Sequence, residues 1–482
     1  MVPEYEESIK RLNGLQSNAK VIQFGARKKG VELEKKLLET QWYLEKCNIQ
    51  LEEIDQRNVI HVTGTKGKGS TCAFTESILR QLGFKTGFYR FIFPTYSSPH
   101  LIHHRERIRI NGDPISESQF VFHFKHIYNC LEKAVMESKG DKSMPGFFQF
   151  LTILAFHVFI EEKVDVAIIE VGIGGRYDCT NVIRNPVVSG VTVLDYDHMS
   201  LLGNTLKLIA WQKGGIFKSG SVAIVSKQSD DAMVIFRNLA DYKNCVLRVA
   251  PEFSAYGWPD NGVQCGISGA HQQINISLAL QLAKISADFF KHHDDVATSE
   301  SEILPGFVVP QQFLDGIRLC NWPGRCQIVK RESITYYLDG AHTPKSLQCC
   351  IDWFTEEMGK LSSSEQSYPY RVLLFNCSKG RSYRSFLCKL DNCGFNLALF
   401  CPNLLHSMNN QLSHGAEYKY PLHRVHASYW RCFAVAAGED YESVSEALHR
   451  IEDLKDSVHK DIVVLVTGSL HLVGCVLAFL KV

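Results

Sequence analysis

Neither sign of charge is in excess in this chain of 482 residues: 52 Lys and Arg stand against 51 Asp and Glu. That balance gives no general reason to expect nucleic acid or an acidic membrane as a partner. Sixteen cysteines are present, yet no two have C-x-x-C spacing, and no H-E-x-x-H word occurs. They read as reduced, mostly buried thiols of a cytosolic protein. The start, Met1-Val-Pro-Glu-Tyr-Glu-Glu-Ser-Ile-Lys, is acidic and suits neither a secretory leader nor a mitochondrial presequence. The expectation is a cytoplasmic form, with a mitochondrial isoform or association left open. The most apolar late segment, Ile462 to Leu480, is broken by Thr467, Gly468, Ser469 and His471, so no integral membrane segment is expected. No fixed-period repeat is visible, and no guanine-selecting Asn-Lys-x-Asp word accompanies the glycine-rich loop described next. A hydrophobic content of 45% is globular, and the length suits two or three domains.

What is present is concentrated in Val59-Ile-His-Val-Thr-Gly64-Thr65-Lys66-Gly67-Lys68-Gly69-Ser70-Thr71. An apolar run breaks into glycines, lysines and hydroxyls, then a helical pattern begins. A strand–loop–helix unit of this kind offers backbone N–H groups and a helix N-terminus to a phosphate. Lys68 adds a point charge, and Ser70 and Thr71 offer hydroxyls. The spacing departs from G-x-x-x-x-G-K-[ST], because Gly69 separates Lys68 from Ser70. That departure sets the chain apart from most P-loop kinases and GTPases.

Residues 4–56 read as helices. Apolar runs at Val59–Val62, Val164–Val171, Val187–Val193 and Ser221–Val225 then alternate with helical stretches such as Phe147–Glu162 and Asn204–Lys213. This alternation predicts a doubly wound, parallel-rich α/β sheet. Residues 288–318 are polar and proline-marked, and read as a surface loop and linker. Runs at Ile328–Leu338, Arg371–Phe375, Asn396–Phe400 and Asp461–Val466 predict a second α/β domain. The expected division is 1–317 and 318–482.

Five other words carry chemistry. Val166-Ala-Ile-Ile-Glu170 runs into Gly172, Gly174, Gly175 and Arg176, and a carboxylate at such a strand end can hold Mg²⁺ on nucleotide phosphates. The glycines do not complete G-x-G-x-x-G, since Tyr177 stands in the last place. His198 follows another strand and is flanked by Asp195 and Asp197, which leaves it open between a ligand or proton carrier and a structural histidine. Lys213 precedes Gly214 and Gly215 at a helix end, where a lysine is ordinarily a water-exposed dipole partner and the glycines a C-cap. Arg325 in a Pro-Gly turn suits a phosphate, and Asp339 before Gly-Ala-His342 suits ribose hydroxyls.

Taken in order, these words resemble folylpolyglutamate synthase within the Mur ligase superfamily. The matching segments are residues 62–71, Ser98-Pro99-His100-Leu101 with Arg105-Glu-Arg107-Ile-Arg109, Glu170 to Arg176 with Asp178-Cys-Thr-Asn181, and Asp197-His198. Gln212-Lys213-Gly-Gly-Ile216, Trp322-Pro-Gly-Arg325, Leu338 to His342 and Val466 to Gly474 complete them. The resemblance implies a Mur-ligase-type P-loop ATPase domain and a smaller C-terminal α/β domain, with the site in the cleft between them. Gly64, Thr65, Lys66, Gly67, Lys68, Gly69, Ser70 and Thr71 would hold ATP phosphates, and Asn275, Arg325, Asp339 and His342 would make further nucleotide contacts. Ser98, Glu170 and His198 would ligate Mg²⁺ at two sites. Lys68, Glu170, His198 and Lys213 would be catalytic, with Lys213 carried as a carbamate. Pro99, His100, Arg105 and Arg107 would lie along the folate. A monovalent cation such as K⁺ fits the same picture, and a monomer is expected.

The implied reaction joins L-glutamate to the γ-carboxyl of tetrahydrofolyl-(poly)glutamate through an acyl phosphate, with ATP becoming ADP and phosphate. It serves folate retention and one-carbon metabolism. Seven residues, Arg90-Phe-Ile-Phe-Pro-Thr-Tyr96, intervene where relatives pass almost directly from Tyr89 to Ser97. They raise the alternative of a catalytically impaired folate-binding homologue. Dihydrofolate synthase activity is the other alternative. Asn376-Cys-Ser-Lys379-Gly-Arg381 and Ala270 also depart from the family words.

Overall fold

The structure is a computed structural model that describes residues 3–15, 30–90, 103–260, 262–291, 301–362, 368–377, 382–406 and 421–481. Two compact units emerge. The first contains the described residues up to 90, His104–Gly266 and Gln272–Cys320, and the second His103, Ile267–His271 and the described residues from Asn321 onward.

The first unit is built on eight strands: β1 (Ile60–Thr63), β2 (Thr86–Tyr89), β3 (Ile108–Ile110), β4 (Asp113–Pro114), β5 (Val166–Glu170), β6 (Val188–Val191), β7 (Val222–Val225) and β8 (Val246–Val249). Their order is β4-β3-β2-β5-β1-β6-β7-β8, parallel from β2 to β8 and antiparallel at the β3 and β4 edge. The central strands are buried throughout, as continuous apolar runs covered on both faces should be. One face packs against the Glu117–Glu137 and Phe147–Glu161 helices through Phe120, Phe124, Phe150 and Leu154. Each fully buried side chain of this kind adds about 2–3 kcal/mol. Another apolar cluster joins Ile209, Phe217 and Phe236 to β6 and β7. β1 lies between β5 and β6 and runs parallel to both, so the loops after these three strands leave from neighbouring carboxyl ends.

The linker expected over 288–318 is only partly a linker. The Gln272–Phe290 helix runs into its start, Val249 bridges Ile303, and Gln311–Leu319 forms a helix. That helix packs on the Lys68–Gln81 helix: Phe313 and Ile317 are buried, and a Cβ at Gly316 would lie 2.5 Å from the Ile78 Cα. Pro310 stops the chain before it, and burial of its apolar stripe holds it. Residues 292–300 lie outside the described residues.

The second unit has strands β9 (Gln327–Arg331), β10 (Ile334–Leu338), β11 (Tyr370–Phe375), β12 (Leu397–Phe400), β13 (Ala437–Asp440) and β14 (Ile462–Thr467), ordered β13-β12-β11-β14-β10-β9. All pair in parallel except β9 with β10. The single run expected at Ile328–Leu338 is therefore an antiparallel hairpin, turned at Glu332 with φ +49°. Trp353, Phe354 and Trp430 fill the core. Among the described residues no helix is long and apolar enough to cross a membrane.

Candidate active site

The glycine-rich loop begins where β1 ends. Gly64 has φ +143°, and a Cβ there would fall 1.8 Å from Thr192 Oγ1; Gly67 has φ +88°, and a Cβ there would fall 2.0 Å from Asn275 Oδ1. Both positions require glycine, for backbone sign and for space. The N–H groups of Thr65 and Lys66 both donate to the Val193 carbonyl at 3.1 Å, tying the loop to the end of β6. Gly67 caps the Lys68–Gln81 helix without any side chain on its first-turn amides, which leaves that end suited to an anion. Asn275, buried, donates to Gln272 Oε1 at 2.8 Å and presents its own oxygen to Gly67.

Three lysines converge on this turn. Lys68 Nζ donates to the Gly64 carbonyl at 3.1 Å, and Lys213 Nζ donates to the same oxygen at 2.7 Å. Lys66 Nζ pairs with Asp197 Oδ2 at 3.2 Å. Lys213 is only 4% exposed, so it is not the solvated dipole partner its place in sequence suggests. Burial and the Lys68 charge push its ammonium well below the usual lysine range. Burial lowers Lys68 as well, while Glu170 pulls it back up. Gly214, with φ −62°, is no left-handed C-cap; the chain continues as a 3₁₀ turn over Gly214–Ile216 against Arg176.

Glu170 ends β5 as a buried carboxylate in register with Val62 of β1. The loop after it is held by Asp178, whose Oδ2 accepts from the Gly172 and Ile173 amides and whose Oδ1 accepts from the Thr180 amide and hydroxyl, at 2.7–3.3 Å. Thr63 Oγ1 donates to the Gly174 carbonyl at 2.6 Å, joining this loop to the phosphate loop's root. His198 sits on the neighbouring loop with φ +49°, and burial moves its imidazole down, against the pull of Asp197 and in step with Lys68 and Lys213. The structure thus brings Lys68, Glu170, His198, Lys213 and Asn275 around one strand end.

The remaining candidates are placed differently. Arg105 donates to the Ile115 carbonyl at 2.9 Å. Arg107 is almost wholly buried, over the rings of Phe147 and Phe148, and burial lowers it to about 10. Glu170 contributes to its field. Ser98, Pro99 and His100, residues 91–96 of the inserted segment, and Lys379 with Arg381 lie outside the described residues. Ser70 and Thr71 are buried at the helix start. In the second unit, Asp339 Oδ2 accepts the Cys326 amide at 2.9 Å, which shapes the turn that carries Arg325. His342 Nδ1 lies 3.0 Å from the Gly340 carbonyl. His271, not singled out from sequence, feels both Asp339 and Arg325, and burial lowers it. Gln272 and Asp197 were also unmarked as partners, because no motif encodes a hydrogen bond between distant loops.

No family model matches the chain. Among curated proteins, the mitochondrial folylpolyglutamate synthase of Bos taurus is 45% identical over 412 residues, covering 83% of this chain and 68% of the relative. The folylpolyglutamate synthase of Arabidopsis thaliana is 35% identical over 495 residues, covering 91% and 83%. The chain belongs to the folylpolyglutamate synthase family. Solved structures share the fold: the apo form of L. casei FPGS matches at TM-score 0.71 with 25% identity, covering 99% of this chain and all of that one. The Mycobacterium tuberculosis folylpolyglutamate synthase complexed with ADP matches at 0.70 with 21% identity, covering 98% of each. In this folylpolyglutamate synthase family member, the parallel-rich sheet and the second sheet-bearing unit agree with the α/β architecture expected from sequence.

Proposed function

We propose that this chain is an ATP-dependent ligase of the EC 6.3.2.17 type. It adds L-glutamate to the γ-carboxyl of tetrahydrofolyl-(poly)glutamate and yields ADP and phosphate. Family membership supplies the reaction class. The observation that carries the reading at residue level is the Gly64 carbonyl, bound at once by Lys68 and Lys213 beside a buried Glu170.

A carboxylate resists attack by an amine because its oxygen is a poor leaving group. The folate γ-carboxylate oxygen attacks the terminal phosphorus of ATP, the phosphoanhydride bond breaks, and ADP departs. The glutamate amine then attacks the acyl carbon, the amine loses a proton, and phosphate leaves. Lys68 and the first-turn amides of its helix orient and neutralise the polyphosphate, and the rigid Gly64–Gly67 turn fixes the distance between them. Lys66 adds a third cation at the same edge. We assign Arg325 and Asp339 of the second unit to further nucleotide contacts, His342 to the same group, and Arg105 and Arg107 to the folate side.

The residues present suit Mg²⁺. Glu170 supplies a buried carboxylate oxygen, and burial favours the neutral form of the His198 imidazole, which has a lone pair to give. Bound there with Ser98, the ion would supply further charge neutralisation to the phosphates. ADP in the M. tuberculosis relative agrees with ATP as the nucleotide. Lys213 suits carbamylation: a lysine held neutral is a nucleophile toward CO₂, forming an N–C bond with release of a proton. The resulting anion would be attracted to Lys68, whose charge disfavours the ammonium form of Lys213. A K⁺ ion and a monomeric state complete the proposal. We place this form in the cytoplasm, with a mitochondrial form alongside it, as the name of the bovine relative suggests.

The test is mass spectrometry of products after incubation with tetrahydrofolate, glutamate and Mg·ATP. Products rising in steps of one glutamyl residue are expected. Folate bound without product would overturn the reading in favour of an impaired homologue, and turnover of dihydropteroate in its place would favour dihydrofolate synthase.

A further inference from the structure

Asp197 takes no part in the chemistry above, yet both its oxygens are engaged. Oδ1 accepts the backbone N–H of His198 at 2.9 Å, and Oδ2 accepts Lys66 Nζ at 3.2 Å. The first contact closes around a left-handed residue: His198 has φ +49° and ψ +36°, a conformation that a β-carbon disfavours. The second reaches across to the phosphate loop. Three more bonds run the same way: the Thr65 and Lys66 amides to the Val193 carbonyl, and Thr65 Oγ1 to the Asp195 carbonyl at 3.2 Å. All but one of these bonds between the loops end on backbone carbonyls. Only the Lys66–Asp197 contact joins side chain to side chain.

We propose that Asp197 is a positioning residue: it locks the left-handed His198 turn onto the phosphate loop through Lys66, and so fixes the imidazole beside the nucleotide. The inference rests on the ligase reading. Its physical content is that a strained backbone at a functional site persists only where surrounding contacts over-determine it. Here one carboxylate both satisfies the strained amide and anchors it to the loop that would hold the phosphates. An orienting partner of this kind typically changes metal affinity by about 10–100-fold when lost.

The experiment titrates Mn²⁺ into the full-length chain with ADP, read by electron paramagnetic resonance, and measures metal-free ADP affinity by calorimetry. Asp197→Ala is expected to weaken Mn²⁺ binding roughly tenfold or more while leaving metal-free ADP affinity unchanged. Asp197→Asn keeps an oxygen for the His198 amide, and should recover part of the Mn²⁺ affinity and the native melting temperature. Unchanged Mn²⁺ affinity in Asp197→Ala overturns the proposal. So does a parallel fall in metal-free ADP affinity, Mn²⁺ affinity and melting temperature in both variants, which would mean that Asp197 only holds the fold. Absence of ADP binding by the native chain would instead overturn the ligase reading itself.

Discussion

Replacing Gly67 by alanine isolates what the phosphate loop owes to a missing side chain. The new Cβ would lie 2.0 Å from Asn275 Oδ1, 2.9 Å from its Cγ and 3.2 Å from its Nδ2, so the whole amide must retreat. Asn275 is buried and bonded to Gln272, so retreat is resisted. Overpacking of this kind costs about 1–3 kcal/mol, and a non-glycine residue at φ +88° adds about 1–2 kcal/mol. Gly67→Ala is therefore expected to lose about 2–5 kcal/mol. Asn275→Ala alone removes one buried hydrogen bond, at about 1–2 kcal/mol. In the double variant the steric part disappears and the backbone part stays. Its loss should fall short of the sum of the singles by about 1–3 kcal/mol. Thermal melting of the three variants measures this, with metal-free ATP affinity as the functional readout. Affinity should fall in Gly67→Ala and partly return in the double variant, because the first-turn amides regain their aim. Strict additivity, or a Gly67→Ala protein that melts with the native one, would refute the reasoning.

Two further outcomes follow from the same loops. Burial depresses the Lys213 ammonium, so the folded chain binds fewer protons there than the unfolded chain, and stability rises with pH up to the ordinary lysine value of 10.5. Lys213→Met should abolish turnover, raise the melting temperature at pH 7 and flatten that pH slope; a lower melting temperature at pH 7 would contradict it. Asp178→Ala removes an acceptor that serves three amides and a hydroxyl, and should lose about 3–5 kcal/mol of stability and lower kcat more than it raises the KM for ATP. Native kcat in a stably folded Asp178→Ala protein would show that the loop does not position Glu170.

Much of the site was legible because its words are local. A strand, two positive-φ glycines and a helix start occupy consecutive residues, and Glu170 ends an apolar run that could hardly be anything but a central strand. The short strands away from the centre of the sheet were harder. β2, β3 and β8 are three or four residues long, and their pairing rather than their composition makes them strands. The Gln311–Leu319 helix hid among prolines and polar residues because its stability comes from docking on the Lys68–Gln81 helix, a contact between residues far apart in sequence. The hairpin at Glu332 was masked by apolar residues on both sides of a turn that tolerates a left-handed glutamate.

The sequence by itself determined the strand–loop–helix turn, the glycine positions, the strand–helix alternation and the strand-end acid, since each follows from conformational preferences of neighbouring residues. It did not determine charge state. Lys213 in its own helix turn reads as a solvated dipole partner; 149 positions away, the Gly64 carbonyl receives it in a buried pocket shared with Lys68. Nor did it determine the orientation of His198, which depends on a carboxylate that also answers to Lys66. Desolvation and charge pairing are properties of the space that distant segments enclose, and only the tertiary structure encloses it.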